Sequence, residues 1–135
     1  TSHSSVMWDL HLPERLPKIA LDPAALHRAL LNIFTNAAEA LDTLPPEATK
    51  RVRITAVHDR GRGSHRLIIS NNGPGLQPEE RERMFEPYFS RKKGGTGLGL
   101  AIVKSIIADH RGTIRAVAAQ GGGTSIVLEF PVMRA

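Results

Sequence analysis

Two pairs of apolar stretches, each pair joined by a glycine-rich turn, constrain the fold of this chain more than any other feature. The stretches and turns are residues 51–58 and 66–70 around Gly61, Gly63 and Ser64, and residues 113–119 and 124–132 around Gly121, Gly122 and Gly123. Glycine adopts the backbone angles of tight turns without strain. The sequence therefore predicts two β-hairpins and a largely antiparallel sheet.

Two apolar helices are predicted to cover one face of this sheet. The first begins with Asp22 as its N-cap and Pro23 at the first helical position. Apolar residues then recur at helical spacing from Leu26 as far as Leu44. The second helix is predicted over residues 98–110, where apolar residues again dominate.

The remaining elements complete one predicted domain, residues 1–135. Residues 1–5 are small and polar and are not used in this prediction. Residues 6–12 alternate apolar and polar side chains and predict a strand, a short extended piece follows around Ile19, and residues 78–84 predict a short helix. We therefore predict an α+β fold. It would be a two-layer α/β sandwich whose mixed, mostly antiparallel sheet carries helices on one face.

Composition narrows the class of protein. The 135 residues contain no cysteine, which excludes disulfides, thiolate metal sites and a cysteine nucleophile and favours a cytoplasmic location. No apolar run approaches the ~20 residues that cross a bilayer, so we expect no membrane contact by this domain. The net charge of +5 is compatible with an acidic or phosphorylated partner.

Three polar side chains share one face of the first predicted helix. Asn32, Asn36 and Glu39 are spaced four and three residues apart. Asparagine favours caps and turns over helix interiors, so two of them one turn apart need a reason. Taken alone, a solvated helix face is the simpler interpretation.

Two glycine-rich loops stand next to predicted elements. Residues 71–75 (NNGPG) follow a strand, where glycine lets a flat ligand approach, although an ordinary turn would explain them equally simply. Residues 95–100 (GTGLGL) lead into a helix, whose free N–H groups favour phosphate. The second loop lacks the Gly-Lys-Ser/Thr ending of a P-loop and the spacing of the dinucleotide fingerprint. Taken alone, it could be a hinge.

Together these motifs resemble the catalytic and ATP-binding domain of sensor histidine kinases, in the ATPase superfamily that also contains gyrase, Hsp90 and MutL. The similar blocks are residues 32–40 (N box), 71–75 (first glycine box), 85–89 (FEPYF, F box), 95–100 (second glycine box) and 121–130 (closing hairpin). The resemblance covers nearly the whole chain after residue 20. It implies the Bergerat-type ATP-binding fold, and residues 97–112 resemble kinases of the nitrogen-regulation type.

The resemblance also implies two cofactors, ATP and Mg²⁺. Asn36 would hold the ion, with Asn32 one turn away. The hydrolysing relatives carry a glutamate at the position of Asn32, and an amide cannot accept a proton as that glutamate does, which favours phosphoryl transfer over hydrolysis. The residues implied to bind ATP are Asn32, Asn36, Glu39, Asn71, Gly73, Gly75, Tyr88, Lys92, Lys93, Gly95, Thr96, Gly97, Leu98, Gly99 and Thr124.

Part of this set would form a lid over the nucleotide. Lys92, Lys93 and residues 94–99 would surround the phosphates, anchored by the aromatic residues Phe85, Tyr88 and Phe89. Core packing is the alternative for these aromatic residues, and it suits Phe85 in particular.

One residue departs from the family pattern. The first glycine box usually begins with an aspartate that accepts a hydrogen bond from the adenine amino group, and Asn71 stands there instead. An amide can still accept, but without charge assistance, which is equivalent to a loss of ~1–2 kcal/mol. The alternative function is therefore a pseudo-ATPase signalling module with impaired nucleotide binding.

The phosphorylated histidine is expected outside this chain. None of its six histidines lies in a predicted pair of dimerisation helices. The implied partners are therefore the dimerisation and histidine-phosphotransfer domain of the same kinase and a response regulator. The isolated domain is expected to be monomeric and not competent for autophosphorylation, and membrane anchoring of the full-length protein is left open.

A third hypothesis is a basic nucleic-acid module, based on the cluster Arg60, Arg62 and Arg66. Aromatic residues make up only 4% of the chain and no recognition motif is present. We therefore expect no nucleic-acid partner.

Overall fold

The five strands form one sheet in the order β1-β2-β3-β5-β4. The structure is a computed structural model that describes residues 6–11, 22–87 and 99–131. Its strands are β1 (Met7–His11), β2 (Arg51–Asp59), β3 (Ser64–Asn71), β4 (Thr113–Ala118) and β5 (Thr124–Pro131). Its helices are α1 (Pro23–Leu41), α2 (Pro78–Arg83) and α3 (Gly99–Asp109). The piece predicted around Ile19 lies outside the described residues.

The strand pairing confirms the predicted fold class. The pairs β2–β3, β3–β5 and β4–β5 are antiparallel, whereas β1 is parallel to β2. Parallel neighbours need a long crossover connection, which α1 supplies between β1 and β2. The sheet is therefore mixed and mostly antiparallel.

Helix α1 ends at Leu41, three residues before the predicted last apolar position at Leu44. The N–H group of Leu44 donates to the carbonyl oxygen of Leu41 at 3.1 Å, which is a tighter turn than an α-helix makes. Pro45 follows, and proline disfavours the helical conformation of the residue before it. The apolar periodicity thus continues beyond the helical hydrogen bonds.

The core lies between the sheet and the helices α1 and α3. Alternate residues of the central strands, including Val52, Ile69 and Leu128, are buried against this helical layer, as are Ile33 of α1 and Val103 of α3. Burying a Val, Leu or Ile side chain contributes about 1.5–3 kcal/mol relative to leaving it exposed. None of the helices in the described ranges is long and apolar enough to cross a membrane.

The start of α1 lies beside the end of α3. Asp22 caps α1, and its carboxylate accepts a hydrogen bond from the N–H group of Ala24 at 3.0 Å. The backbone N–H group of Asp22 also donates to Nε2 of His110, which follows α3, at 2.9 Å. The two helices therefore run in opposite directions across the sheet.

Two histidines are stacked on the helix-covered side of the hairpin formed by β2 and β3. The rings of His58 and His65 lie 4.9 Å apart at an angle of 27°. His65 is only 7% exposed, and its Nε2 atom has no hydrogen-bond partner in the described ranges. Burial, helped by repulsion from His58, lowers the pKa of His65 below 6.5.

We expect the protein to lose stability as the pH falls below 6.5. The unfolded chain takes up a proton at this ordinary pKa while folded His65 stays neutral. The contribution is therefore fully present above pH 6.5 and is lost as the pH falls towards the lower folded pKa. Thermal unfolding at about pH 7.5 and about pH 5.5 should show a smaller loss of Tm for His65→Leu than for wild type. His27→Gln, at an exposed position of α1, is the control, and equal losses in wild type and His65→Leu would contradict the prediction.

Candidate functional site

Two buried polar residues face each other at the end of the sheet where β3 finishes. The β3–β5 register pairs Asn71 with Thr124, and the β2–β3 register pairs Asn71 with the buried Val52. Directly paired residues point to the same face of an antiparallel sheet. Asn71 and Thr124, at 9% and 5% exposure, therefore lie on the helix-covered face.

The Asn71 side chain shapes the loop that follows it. Its Oδ1 atom accepts a hydrogen bond from the N–H group of Gly73 at 2.9 Å. This contact fixes the orientation of the carboxamide, because only the oxygen can accept. Among the described residues, the NH₂ group and the second lone pair of Oδ1 have no hydrogen-bond partner and could serve a ligand.

Gly73 lies against the last turn of α1. A Cβ atom at this position would be 3.1 Å from the carbonyl oxygen of Ala40 and 3.0 Å from Oδ1 of Asn71. Glycine therefore allows the loop to approach the helix closely. Gly75, in contrast, is exposed and has no atom within 4 Å of such a Cβ, so the structure reveals no steric need for glycine there.

The polar face of α1 points to this same region. Asn36 is one turn before Ala40, and Asn32 is one turn before Asn36, so the three residues follow one another along one side of the helix. Asn32 and Asn36 are half-buried. Glu39 is also half-buried and already interacts with another residue.

The chemistry of these amides fits a hard divalent ion. In the described ranges no group of three or more His, Cys, Asp or Glu side chains could hold a metal. The amide oxygens of Asn32 and Asn36 suit Mg²⁺, a hard ion that takes its other ligands from water and phosphates. Neither Asn32 nor Asn36 uses its carboxamide in a hydrogen bond to another described residue.

The first residue of α3 lies towards the same end of the sheet. A Cβ on Gly112, just after this helix, would be 2.8 Å from Phe130, so α3 ends at the opposite end of β5 from Thr124. Its first residue, Gly99, is therefore on the Thr124 side. The free N–H groups and positive dipole end of a helix start attract anions such as phosphate.

Several predicted ATP-binding residues lie outside the described ranges. They are Tyr88, Lys92, Lys93, Gly95, Thr96, Gly97 and Leu98. Their roles stay predictions, as does that of Phe89. Phe85 is 7% exposed and belongs to the hydrophobic core, which confirms the core-packing alternative for this residue.

Two residues that support Asn71 were not among the predicted site residues, although Gly123 was predicted to lie in a turn and Asn72 in the first glycine box. A Cβ atom on Gly123, whose φ is 95°, would overlap the carbonyl oxygen of Asn71. Asn72 accepts a hydrogen bond from the N–H group of Arg51 and donates one to the carbonyl of Thr49, both at 2.7 Å. The sequence features that could have indicated these roles are the three consecutive glycines at 121–123 and the adjacent asparagines at 71 and 72.

Comparison with protein families gives one match over most of the chain. The family model described as "Histidine kinase-, DNA gyrase B-, and HSP90-like ATPase" matches residues 21–134. Over 112 residues, 83% of this chain, the sequence is 39% identical to the nitrogen regulation protein NtrY of Azorhizobium caulinodans, and it spans 14% of that protein. It spans about a quarter of the length of the first curated relatives that it matches.

Two solved structures have a similar fold. A mycobacterial sensor histidine kinase, MprB, superposes with a TM-score of 0.81 at 33% identity, covering 98% of this chain and 86% of that chain. Full-length ShkA in complex with AMPPNP superposes with a TM-score of 0.78 at 30% identity, covering 96% of this chain and 26% of that chain.

We expect Gly123→Ala to destabilise the protein more than Gly121→Ala. Both glycines have a positive φ, so both substitutions add backbone strain of about 1–2 kcal/mol. Only the side chain at position 123 would overlap Asn71, because a Cβ on Gly121 has no atom within 4 Å. This overlap should remove about 1–3 kcal/mol more from the free energy of unfolding, measured by urea titration. Equal losses in the two variants would show that the contact with Asn71 is unimportant.

Proposed function

The chain belongs to the histidine kinase-, DNA gyrase B- and HSP90-like ATPase family, and from this premise we propose that it binds Mg-ATP within a two-component sensor histidine kinase. In this role it donates the γ-phosphoryl group to a histidine on a separate dimerisation domain. The chain is a histidine kinase ATP-binding catalytic domain by family and fold.

One observation carries the proposal. The Asn71–Thr124 pair, the asparagine face of α1 and the first residue of α3 all lie towards one end of the sheet. A purine base needs a few hydrogen-bonding groups beside an apolar wall, and phosphates need N–H groups or cations. The bound AMPPNP of ShkA, which is similar over 96% of this chain, supports a nucleoside triphosphate as the ligand.

The amides of α1 have a distinct part in this proposal. Asn36, with Asn32 beside it, would hold Mg²⁺, and the ion would neutralise phosphate charge. Because the amide of Asn32 cannot accept a proton, it does not activate water as a carboxylate would. Transfer to another protein group is therefore favoured over hydrolysis.

The partners of the proposed reaction lie beyond this chain. The chain spans only about a quarter of its first curated relatives, so a dimerisation domain with the accepting histidine would belong to the rest of the polypeptide. A response regulator would then take the phosphoryl group. We also propose that the isolated domain is monomeric and cytoplasmic, and that it cannot phosphorylate itself.

We expect calorimetry to detect Mg-ATP binding that depends on Asn36. Asn36→Ala should weaken binding by at least about tenfold in the presence of Mg²⁺, which is equivalent to 1.4 kcal/mol. The difference should shrink when EDTA replaces Mg²⁺, because the amide acts through the ion. Thr35→Ala, an exposed neighbour on the same helix, is the matched control. An absence of wild-type binding at millimolar nucleotide would reject the active-kinase proposal.

A pseudo-ATPase remains the second candidate function because of Asn71. With Oδ1 bound to Gly73, the NH₂ group of Asn71, which has no hydrogen-bond partner among the described residues, is a donor. A donor pairs with the six-oxo group of guanine and only poorly with the six-amino group of adenine. The site would therefore lose part of its preference for ATP as well as part of its affinity.

Asn71→Asp should separate the two functions. We expect it to raise Mg-ATP affinity about 5- to 30-fold, since a charged acceptor contributes ~1–2 kcal/mol more than a neutral one. It should also lower Mg-GTP affinity, because a carboxylate has no donor for the six-oxo group. Gln120→Glu makes the same amide-to-acid change at an exposed turn position and should not raise Mg-ATP affinity.

The result distinguishes three cases. Wild-type binding that is undetectable and restored by Asn71→Asp would favour the pseudo-ATPase. Detectable wild-type binding with the expected gain would favour a kinase of reduced affinity. Unchanged ATP and GTP affinities would show that Asn71 does not contact the base.

A further inference from the structure

The outward face of the sheet, opposite α1 and α3, is rich in arginine. Val52 and Ile54 of β2 point into the core, so the alternating residues Arg51 and Arg53 point outwards. We call this surface the arginine face. Its arginines are Arg51, Arg53, Arg66 and Arg115 on the strands and Arg62 in the β2–β3 turn.

The carboxylates on this face are outnumbered. Asp9 lies within 4 Å of two arginines, at 3.9 Å from Arg51 and 3.8 Å from Arg53. Glu129 lies 3.5 Å from both Arg62 and Arg115. With Asp59, which lies 3.4 Å from Arg66, the face carries five arginines and three carboxylates. Its net charge is therefore positive.

The positive groups are also the more accessible ones around Glu129. The Glu129 side chain is 12% exposed, whereas those of Arg62 and Arg115 are 61% and 46% exposed. A hydrogen bond from Ser64 at 2.8 Å, together with the two arginines, lowers the pKa of Glu129 despite its burial. The carboxylate thus stays ionised beneath the guanidinium groups that face solvent.

These arginines have N–H groups that the neighbouring carboxylates do not occupy with strong hydrogen bonds. Their distances to the carboxylates of the described residues are all 3.4 Å or longer, beyond the usual 2.7–2.9 Å of a strong charged hydrogen bond. The Nε atoms of Arg51 and Arg66 have no hydrogen-bond partner in the described ranges, but they are buried and are not open to a ligand. The side chains of Arg53, Arg62 and Arg115 are 52%, 61% and 46% exposed, and a guanidinium group has five N–H donors, so each can bind a further carboxylate.

The centre of the face carries no charge and is largely covered. Ile68 and Val127 are paired across β3 and β5, beside them Ser70 and Ser125 share a hydrogen bond of 2.6 Å, and Val127 and Ser125 are only 5% and 6% exposed. The exposed guanidinium groups around this centre are therefore what a partner would contact, and arginine is enriched in protein–protein interfaces. At its edge, Arg62, Arg111 and Glu129 line a cavity of about 290 Å³.

Other charged partners fit less well. Single-stranded nucleic acid needs aromatic side chains for base stacking, and the outward residues of the described strands include no Phe, Tyr or Trp. The interleaved Asp9, Asp59 and Glu129 would repel a continuous phosphate backbone or an anionic lipid surface. A protein segment can instead present carboxylates between apolar side chains.

We propose that the arginine face docks an acidic segment of a partner protein. Five strands about 4.8 Å apart and eight residues of about 3.4 Å define a footprint of roughly 20 by 27 Å. This size corresponds to a small, transient interface. Binding is expected to be weak and to fall with salt, because exposed charges are screened.

The test uses a fluorescein-labelled oligoglutamate peptide as the probe, with binding followed by fluorescence anisotropy at about 50 mM salt. The variant Arg53→Gln/Arg115→Gln should bind at least about tenfold more weakly than wild type. Each substitution leaves a second arginine beside the affected carboxylate, so the fold should persist, which circular dichroism checks. Arg28→Gln/Lys104→Gln removes the same charge from exposed positions of α1 and α3 and should bind like wild type.

Amide chemical shifts of the wild-type protein give an independent readout that needs no variant. Oligoglutamate should perturb the outward residues of β2, β3, β4 and β5 and leave α1 and α3 unchanged. Equal weakening by the two double variants, or perturbations on the helices, would overturn the proposal. So would tighter binding of an oligonucleotide of equal charge or of phosphatidylserine vesicles, which would identify a nucleic-acid or lipid surface instead.

Discussion

Close backbone approaches at three glycines determine how the sheet and helices fit together. Gly73 brings the loop after β3 against Ala40 of α1, and Gly123 brings the last hairpin against Asn71. Gly112 lets the chain turn from α3 into β4 beneath Phe130. At each position a side chain would meet another group within about 3 Å, so the packing of both layers depends on the missing Cβ atoms. The candidate site exists because the first two approaches occur at the same end of the sheet.

Periodicity predicted the elements better than it predicted their contacts. The hairpins, the two longer helices and the fold class follow from apolar spacing and turn residues, which act over a few positions. Strand register joins residues that are far apart in the sequence, so the pairing of Asn71 with Thr124 could be identified only from the structure. The part played by Gly123 was hidden for the same reason, because its contact is with a strand about fifty residues earlier. The α1 end was overestimated because Leu44 packs like a helical residue from within a turn.

Charged and polar groups are distributed differently on the two faces of the sheet, which the net charge of +5 does not reveal. The helical side of the sheet end offers neutral amides and the start of α3, both suited to an anion with its own metal ion. The opposite side offers exposed guanidinium groups set around an uncharged, largely buried centre. Arg62 and Arg66, which as a sequence cluster had indicated nucleic acid, are each held next to a carboxylate. The two surfaces lie on opposite faces of the sheet, so a ligand on one leaves the other accessible.

The parallel pairing of β1 with β2 fixes where the polypeptide enters the fold. Met7 of β1 pairs with Arg51 at the start of β2, and the next residue of β2, Val52, pairs with Asn71. β1 therefore starts at the same end of the sheet as the candidate site. β5 finishes at the other end, near Ser64. A domain joined ahead of Val6 would therefore be tethered on the side of the candidate site, and one joined after Pro131 on the far side. A domain on the first of these tethers would need only a short link to reach the site, and a short link raises the effective concentration of the group that it carries.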